Sequence, residues 1–230
     1  MDTKTPPLYK WFPDGETNIC YNAVDRHVKN GDGNNTAIIY ESAYLDISEK
    51  WSYNDLLDRV GRIASILQKV FKVNKGDRVL LYMPMIPVSA FAMLACARIG
   101  AIHSVVFGGF AAKELANRID DCKPKVIITS SCGLEPGKVI QYRPIVDEAL
   151  DLCERVDKKS IKRILVQRKV KFEDKDYNKE LYFDYDDLME NESEVAECVS
   201  VPSNHPLYIL CKNLNIFLNI PNIDTSGTTG

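Results

Sequence analysis

The sequence predicts an α/β fold, a doubly wound and mostly parallel sheet, and three observations carry that expectation. Short apolar runs alternate with helix-period segments from about Trp51 to Gln167. Pro or Gly closes the clearest runs, Arg78–Met83 at Pro84 and Ile102–Phe107 at Gly108. The runs lack the apolar/polar alternation of a half-exposed sheet, so helices are expected on both faces.

Each element follows from local chemistry. Ser52 and Asp55 have the spacing of a capping box, and Leu56, Val60, Ile63, Ala64 and Leu67 recur behind them at helical intervals. The turn Asn74-Lys75-Gly76-Asp77 leads into the strand Arg78–Met83. Residues 89–99, after Pro87, are rich in Ala and Met and stop at Gly100 in a C′ position, which predicts a helix. Strand Ile102–Phe107 comes next, then a helix over 112–121 with Leu115 and Ile119 facing inward. A strand over 125–129, a turn over 133–138, a helix around 145–153 and a strand over 163–167 complete the alternation. Residues 169–178 are charged and predict a solvated loop, and 190–197 form a second polar, acidic stretch leading to Pro202. Ligands of such sheets gather at the carboxyl ends of the strands, so the loops after Met83, Phe107 and Thr129 are the places for a site.

Composition excludes several functions. The 230 residues are 45% hydrophobic and 27% charged, with a formal net charge of -3 and interspersed signs. No basic stripe suits nucleic acid. The longest apolar stretches, near 91–97 and 102–107, fall far short of the roughly 20 residues that cross a bilayer, so a soluble protein without membrane insertion is expected. Seven scattered cysteines without a CxxC pair and three distant histidines predict reduced thiols in a cytosolic or matrix-like compartment and no zinc site. The first residues carry neither an apolar signal core nor an Arg-rich amphipathic stretch, so the chain is expected to be untargeted or to lack its native start. His103 is expected in the core or at its rim, and Cys96 and Cys122 as small buried apolar residues.

Three segments could carry chemistry. Thr225, Ser226, Gly227, Thr228, Thr229 and Gly230 combine hydroxyls with turn-permissive glycines and could wrap an anion through backbone N–H groups. No Gly-Lys-Ser/Thr follows, so this is not a Walker A loop, and a plain Ser/Thr/Gly tail is the simpler alternative. Gly108 and Gly109 after Phe107 mark a strand end that needs positive φ, close packing, or a ligand against bare backbone. Residues 133–138 taken alone are a β–α connection with Pro-Gly turn chemistry.

Longer matches reweigh these alternatives. The hexapeptide TSGTTG resembles the opening of the phosphate loop of adenylate-forming enzymes, and 205–210 resembles the buried strand that feeds it. Residues 79–87, 93–110 and 22–27 resemble the acetyl- and propionyl-CoA synthetase branch of the AMP-forming short-chain acyl-CoA synthetases. The resemblance covers about 7–210 and then 225–230. It implies a partial N-terminal domain of an adenylate-forming enzyme, with a family segment over 1–50 and the first AMP-binding subdomain over 51–210. It also implies a two-step reaction on a short-chain carboxylate, with ATP, Mg and coenzyme A as co-substrates, in the mitochondrial matrix or the cytoplasm. By the same resemblance Thr225 through Gly230 envelop ATP phosphates, and Phe107, Gly108 and Gly109 approach CoA. Glu135, Pro136, Gly137 and Lys138 occupy the family's CoA-binding turn, with Lys138 where relatives commonly carry Arg. Lys can meet a CoA phosphate only as a point charge, and Glu135 leaves only the backbone of its position as a contact.

The chain departs from that pattern at 211–224, an Asn/Ile-rich insertion between the feeding strand and the hydroxyl loop. A retained intron is the expected origin, because its Cys-Lys and Ile-Asp ends can encode splice signals. The family's acyl pocket, adenine-binding segment and catalytic lysine are expected downstream, so the chain alone is predicted not to catalyse acyl-CoA formation. The alternatives are a non-catalytic CoA- or nucleotide-binding isoform and a gene-model artefact.

Overall fold

Five parallel strands form the central sheet, in the spatial order Tyr182–Asp184, Lys162–Val166, Val126–Ser130, Arg78–Met83 and Ile102–Phe107. The computed structural model describes residues 1–4, 6, 9–169 and 171–210. In chain order the elements are β1 (Glu16–Thr17), two π-type turns (Tyr21–Asp25 and Val28–Asp32), β2 (Thr36–Ser42), β3 (Ile47–Ser52) and α1 (Tyr53–Lys69). Next come β4 (Arg78–Met83), α2 (Pro87–Arg98), β5 (Ile102–Phe107), α3 (Ala112–Cys122), β6 (Val126–Ser130), β7 (Cys132–Glu135) and β8 (Lys138–Gln141). Then follow α4 (Tyr142–Leu152), β9 (Lys162–Val166), β10 (Tyr182–Asp184), α5 (Tyr185–Asn191) and β11 (Val201–Pro202).

Alternate strand residues divide the core between two faces. Val79, Leu81, Met83, Val126 and Ile128 pack with α1, α2 and Met189 of α5. Leu80, Tyr82 and Ile127 pack on the opposite side with α3 and α4. Such two-sided burial is why these strands read as continuous apolar runs.

Local signals act as expected at several boundaries. Ser52 Oγ accepts the Asp55 amide at 3.2 Å, and Asp55 accepts the Ser52 amide at 2.9 Å, so the capping box is complete. Gly100 has φ +69 just past α2. That helix begins at Pro87 itself rather than after it, because a first-turn proline lacks only an N–H that the helix would leave unpaired.

Other segments differ from expectation. Residues 36–52 pair as the antiparallel β2–β3 hairpin. The 169–178 stretch is not simply solvated: Asp174 is 4% exposed and accepts from Arg143 Nε at 2.6 Å. Residues 192–202 form a strap rather than a free acidic linker. Its Ala196 amide donates to the Gly61 carbonyl at 3.1 Å, its Ala196 carbonyl accepts from Arg98, and β11 pairs antiparallel with β1.

The segment resembling a buried feeding strand is half-buried, and Leu210 is exposed. It runs parallel to the outer edge of β5 through one bridge, Tyr208 to His103, with the Ile209 amide donating to the His103 carbonyl at 2.9 Å. The insertion at 211–224 and the loop at 225–230 lie outside the described residues.

Candidate functional site at the carboxyl edge

β5 and β6 flank β4, and both deliver their carboxyl ends to the same edge of the sheet. β5 ends at Phe107, 69% exposed, and buried Gly108 and exposed Gly109 follow. After β6 the chain turns out into the β7–β8 hairpin, closed by Pro136 and Gly137. Proline fixes φ near -65° and Gly137 stands at φ +70, the combination of a type II turn. Residues 133–138 are therefore part of a hairpin and not a simple β–α connection. α4 consequently starts at Tyr142, earlier than the sequence predicts.

Tyr142 locks the two turns together. A Cβ added at Gly108 would lie 2.1 Å from the Tyr142 hydroxyl oxygen, and one added at Gly133 would lie 2.5 Å from the same ring. The Tyr142 amide donates to the Ser131 carbonyl at 3.2 Å, which fixes the ring at the base of the hairpin. Tyr82, on β4 between the two turns, packs its ring 4.8 Å from that of Tyr142. The Tyr82 hydroxyl reaches the Gly108 carbonyl at 3.1 Å and the Phe110 carbonyl at 2.8 Å, so it holds the FGGF turn from below. Burial, then the neighbouring Tyr142, raises the Tyr82 hydroxyl above its ordinary pKa, so it stays protonated as a donor. Neither tyrosine was singled out in the sequence. The glycines at 108 and 133 were the only local signal that a large ring must fit there.

The two adjacent glycines thus have different reasons. Gly108 has no positive φ and is small because Tyr142 fills its side-chain space. At Gly109 the space for a Cβ is taken by the ring of exposed Phe107, at 2.6 Å, a side chain with solvent on its other side. On the hairpin, Lys138 Nζ lies 3.6 Å from Glu135, with the two side chains 70% and 45% exposed. An exposed pair of this kind holds the lysine only weakly, so an anionic ligand could recruit it. Tyr142 packs against Gly108 of the first turn and against Gly133 at the base of the hairpin that carries Glu135–Lys138; the predicted phosphate-loop residues lie outside the described part.

His103, beside the bridge to Tyr208, is 8% exposed, and burial pulls its pKa down to about 4. It is a neutral core-rim histidine and takes no place in the site. Cys96 and Cys122 are buried, and burial pushes the Cys96 thiol up to about 12. No helix among the described residues is long and apolar enough to cross a membrane.

The comparisons with known proteins agree with this architecture. The family model described as AMP-binding enzyme matches residues 24–230. The chain belongs to the AMP-binding enzyme family. A second model, for the acetyl-coenzyme A synthetase N-terminus, matches residues 1–23. Among curated members of the AMP-binding family, the acyl-CoA synthetase short-chain family member 3, mitochondrial, of Rattus norvegicus is 44% identical over 230 residues. That alignment takes in 100% of this chain and 31% of the relative. The acetyl-coenzyme A synthetase of Methylobacterium radiotolerans is 41% identical over 225 residues, 96% of this chain and 31% of the relative. Among solved structures, acetoacetyl-CoA synthetase from Streptomyces lividans superposes with a TM-score of 0.75 at 25% identity. The match covers 90% of this chain and 30% of that one. The chain therefore spans about a third of the length of these AMP-binding relatives.

Proposed function

We propose that this chain contributes the CoA-facing part of an AMP-forming ligase that joins a short-chain carboxylate, acetate or propionate, to coenzyme A. In that reaction a carboxylate oxygen attacks the α-phosphorus of ATP and pyrophosphate leaves. The CoA thiol then attacks the acyl carbon of the adenylate and AMP leaves. The observation that carries the proposal is the Tyr142 lock, which holds the FGGF turn and the β7–β8 hairpin at one sheet edge in a chain of the AMP-binding family.

The residues at that edge fit the substrate. Gly109 adds no side chain of its own, and the exposed Phe107 ring beside it can swing aside, as close passage of a thin pantetheine arm requires. Lys138 supplies an exposed positive charge for a CoA phosphate, while Pro136 and Gly137 supply hairpin backbone. Thr225 through Gly230 would hold the ATP phosphates, with Mg as the counter-ion that accompanies ATP. The compartment proposed is the mitochondrial matrix or the cytoplasm. Preference for propionate rests on the resemblance and on the name of the 44% identical relative alone.

Calorimetric titration of CoA into the purified chain tests the proposal. Saturable binding that weakens with added salt and in Lys138→Glu is expected, because a phosphate contact to a point charge is screened by ions. Absence of binding at millimolar CoA would overturn the assignment of this edge. A parallel assay of ATP–pyrophosphate exchange with propionate or acetate is expected to show none, which would place this chain as a CoA-binding part. Measurable exchange would contradict that placement.

A further inference from the structure

Far from the carboxyl edge in sequence, a second cluster brings reactive groups together. The sulfurs of Cys20 and Cys198 and a carboxylate oxygen of Asp25 all lie within 4.8 Å of one another. Sequence spacing gave no sign of it, since Cys20 stands in the N-terminal helical stretch and Cys198 in the 192–202 strap. Cys20 is fully buried, whereas Cys198 is half-buried.

Arg98 decides what the cluster can do. It is 1% exposed, donates to both Asp25 oxygens at 2.7 and 3.0 Å, and directs Nη1 at the Cys20 sulfur from 3.5 Å. A fixed guanidinium in this position opposes a divalent cation and favours a thiolate. Cys198 lies 3.5 Å from Asp25 Oδ2 as a donor. The hydrogen bond from Cys198 pulls the Cys20 thiol below its ordinary range against the opposing effect of burial, with help from Arg98, and the same contact raises Cys198.

We propose that Cys20 and Cys198 form a reversible intramolecular disulfide that staples the N-terminal helical stretch to the strap. The oxidant is a peroxide. Cys198, the less buried sulfur, passes its proton to Asp25 Oδ2, its acceptor at 3.5 Å, and attacks a peroxide oxygen. The O–O bond breaks, hydroxide leaves, and Cys198 becomes a sulfenic acid, oxidised by two electrons. The Cys20 thiolate then attacks the Cys198 sulfur, the S–O bond breaks, and the hydroxyl departs as water with the proton held by Asp25. A thiol reductant reverses the sequence by disulfide exchange. The sulfurs must close from a contact within 4.8 Å to a bond of about 2.05 Å, a movement the half-exposed strap can supply.

The staple has a place to act. The strap is already tied to the N-terminal stretch, since Asn18 donates to the Val199 carbonyl at 2.8 Å and the Ser203 amide to the Gly15 carbonyl at 2.9 Å. Beyond it the chain runs along β5 as the 205–210 segment. A covalent link at Cys198 would stiffen the route by which the chain reaches the outer edge of the sheet.

The test treats the purified reduced chain with stoichiometric hydrogen peroxide, alkylates remaining thiols, and maps peptides by mass spectrometry without reduction. A Cys20–Cys198 linked peptide is expected, lost on dithiothreitol treatment, together with a rise in thermal midpoint absent from Cys198→Ser. Cys198→Ala provides the same control should the serine variant fold poorly. The proposal is overturned if peroxide leaves both cysteines open to alkylation. It is also overturned if Cys198 goes on to sulfinic acid with Cys20 free, or if the isolated protein holds zinc that protects both thiols.

Discussion

At Gly108 a single methyl group is enough to test the packing that organises the candidate site. Its Cβ would sit 2.1 Å from the Tyr142 hydroxyl oxygen, and Tyr142 is also confined by Gly133. Gly108→Ala is expected to lower the unfolding free energy in urea by about 1–3 kcal/mol, the usual cost of overpacking. Tyr142→Phe should recover part of that loss in the double variant, because the closest clash is with the hydroxyl. Gly109→Ala should leave stability nearly unchanged while weakening CoA binding, since its nearest obstacle is an exposed ring that can swing aside. The sequence marked both glycines but not the reason they differ, which lies in a tyrosine more than thirty residues away. His103 gives a prediction in pH. Burial lowers its pKa from 6.5 to about 4, so between those values the unfolded chain binds a proton that the folded chain refuses. Stability should therefore fall as pH drops from about 6.5 to about 4, by up to about 3 kcal/mol, and this contribution should level off below. Urea midpoints across that range check it, and His103→Gln should flatten the slope.

At the scale of elements, the parts with a strong local signature were the ones the sequence showed. The buried strands β4, β6 and β9 and the helices between them stood out because both sheet faces are covered there, and the edge strand β5 stood out as an apolar run although Val105 and Phe107 are exposed. The capping box of α1 was legible to the residue, and Ser52→Ala is expected to cost about 1 kcal/mol in thermal or urea unfolding. The β7–β8 hairpin was not legible, because its four-residue strands are too short to show a period and a Pro-Gly turn suits either kind of connection. Gly137 at φ +70 makes the hairpin testable: Gly137→Ala should cost about 1–2 kcal/mol, and CoA binding should weaken with it. The β2–β3 hairpin was missed for another reason. Its residues are mostly half-buried or exposed, so packing against α1 and not local apolar pattern selects the pairing.

For the molecule as a whole, the strap and the N-terminal stretch converge on Arg98. Its ion pair with Asp25 is almost fully removed from water, with side-chain exposures of 1% and 8%. Arg98→Met would leave a buried carboxylate without its partner and should cost about 3–5 kcal/mol, whereas pairing it with Asp25→Leu should cost less. Chemical denaturation of the three variants separates these cases. This convergence was invisible in the sequence, since residues 20 and 25, residue 98, and residues 196 and 198 are far apart along the chain and meet only in the folded structure. Family membership, by contrast, was legible in the long matches at 79–87 and 93–110, which fold into β4, α2, β5 and the FGGF turn. The central claim is that CoA lies across the edge formed by that turn and the β7–β8 hairpin. Amide-resolved NMR of the 230-residue chain during a CoA titration tests it most directly. The predicted result is saturable shifts at Gly109, Gly137 and Lys138, lost in Lys138→Glu. Shifts confined instead to the groove of about 390 Å³ lined by Trp51, Arg59, Phe91 and Tyr185, or no shifts at all, would contradict it.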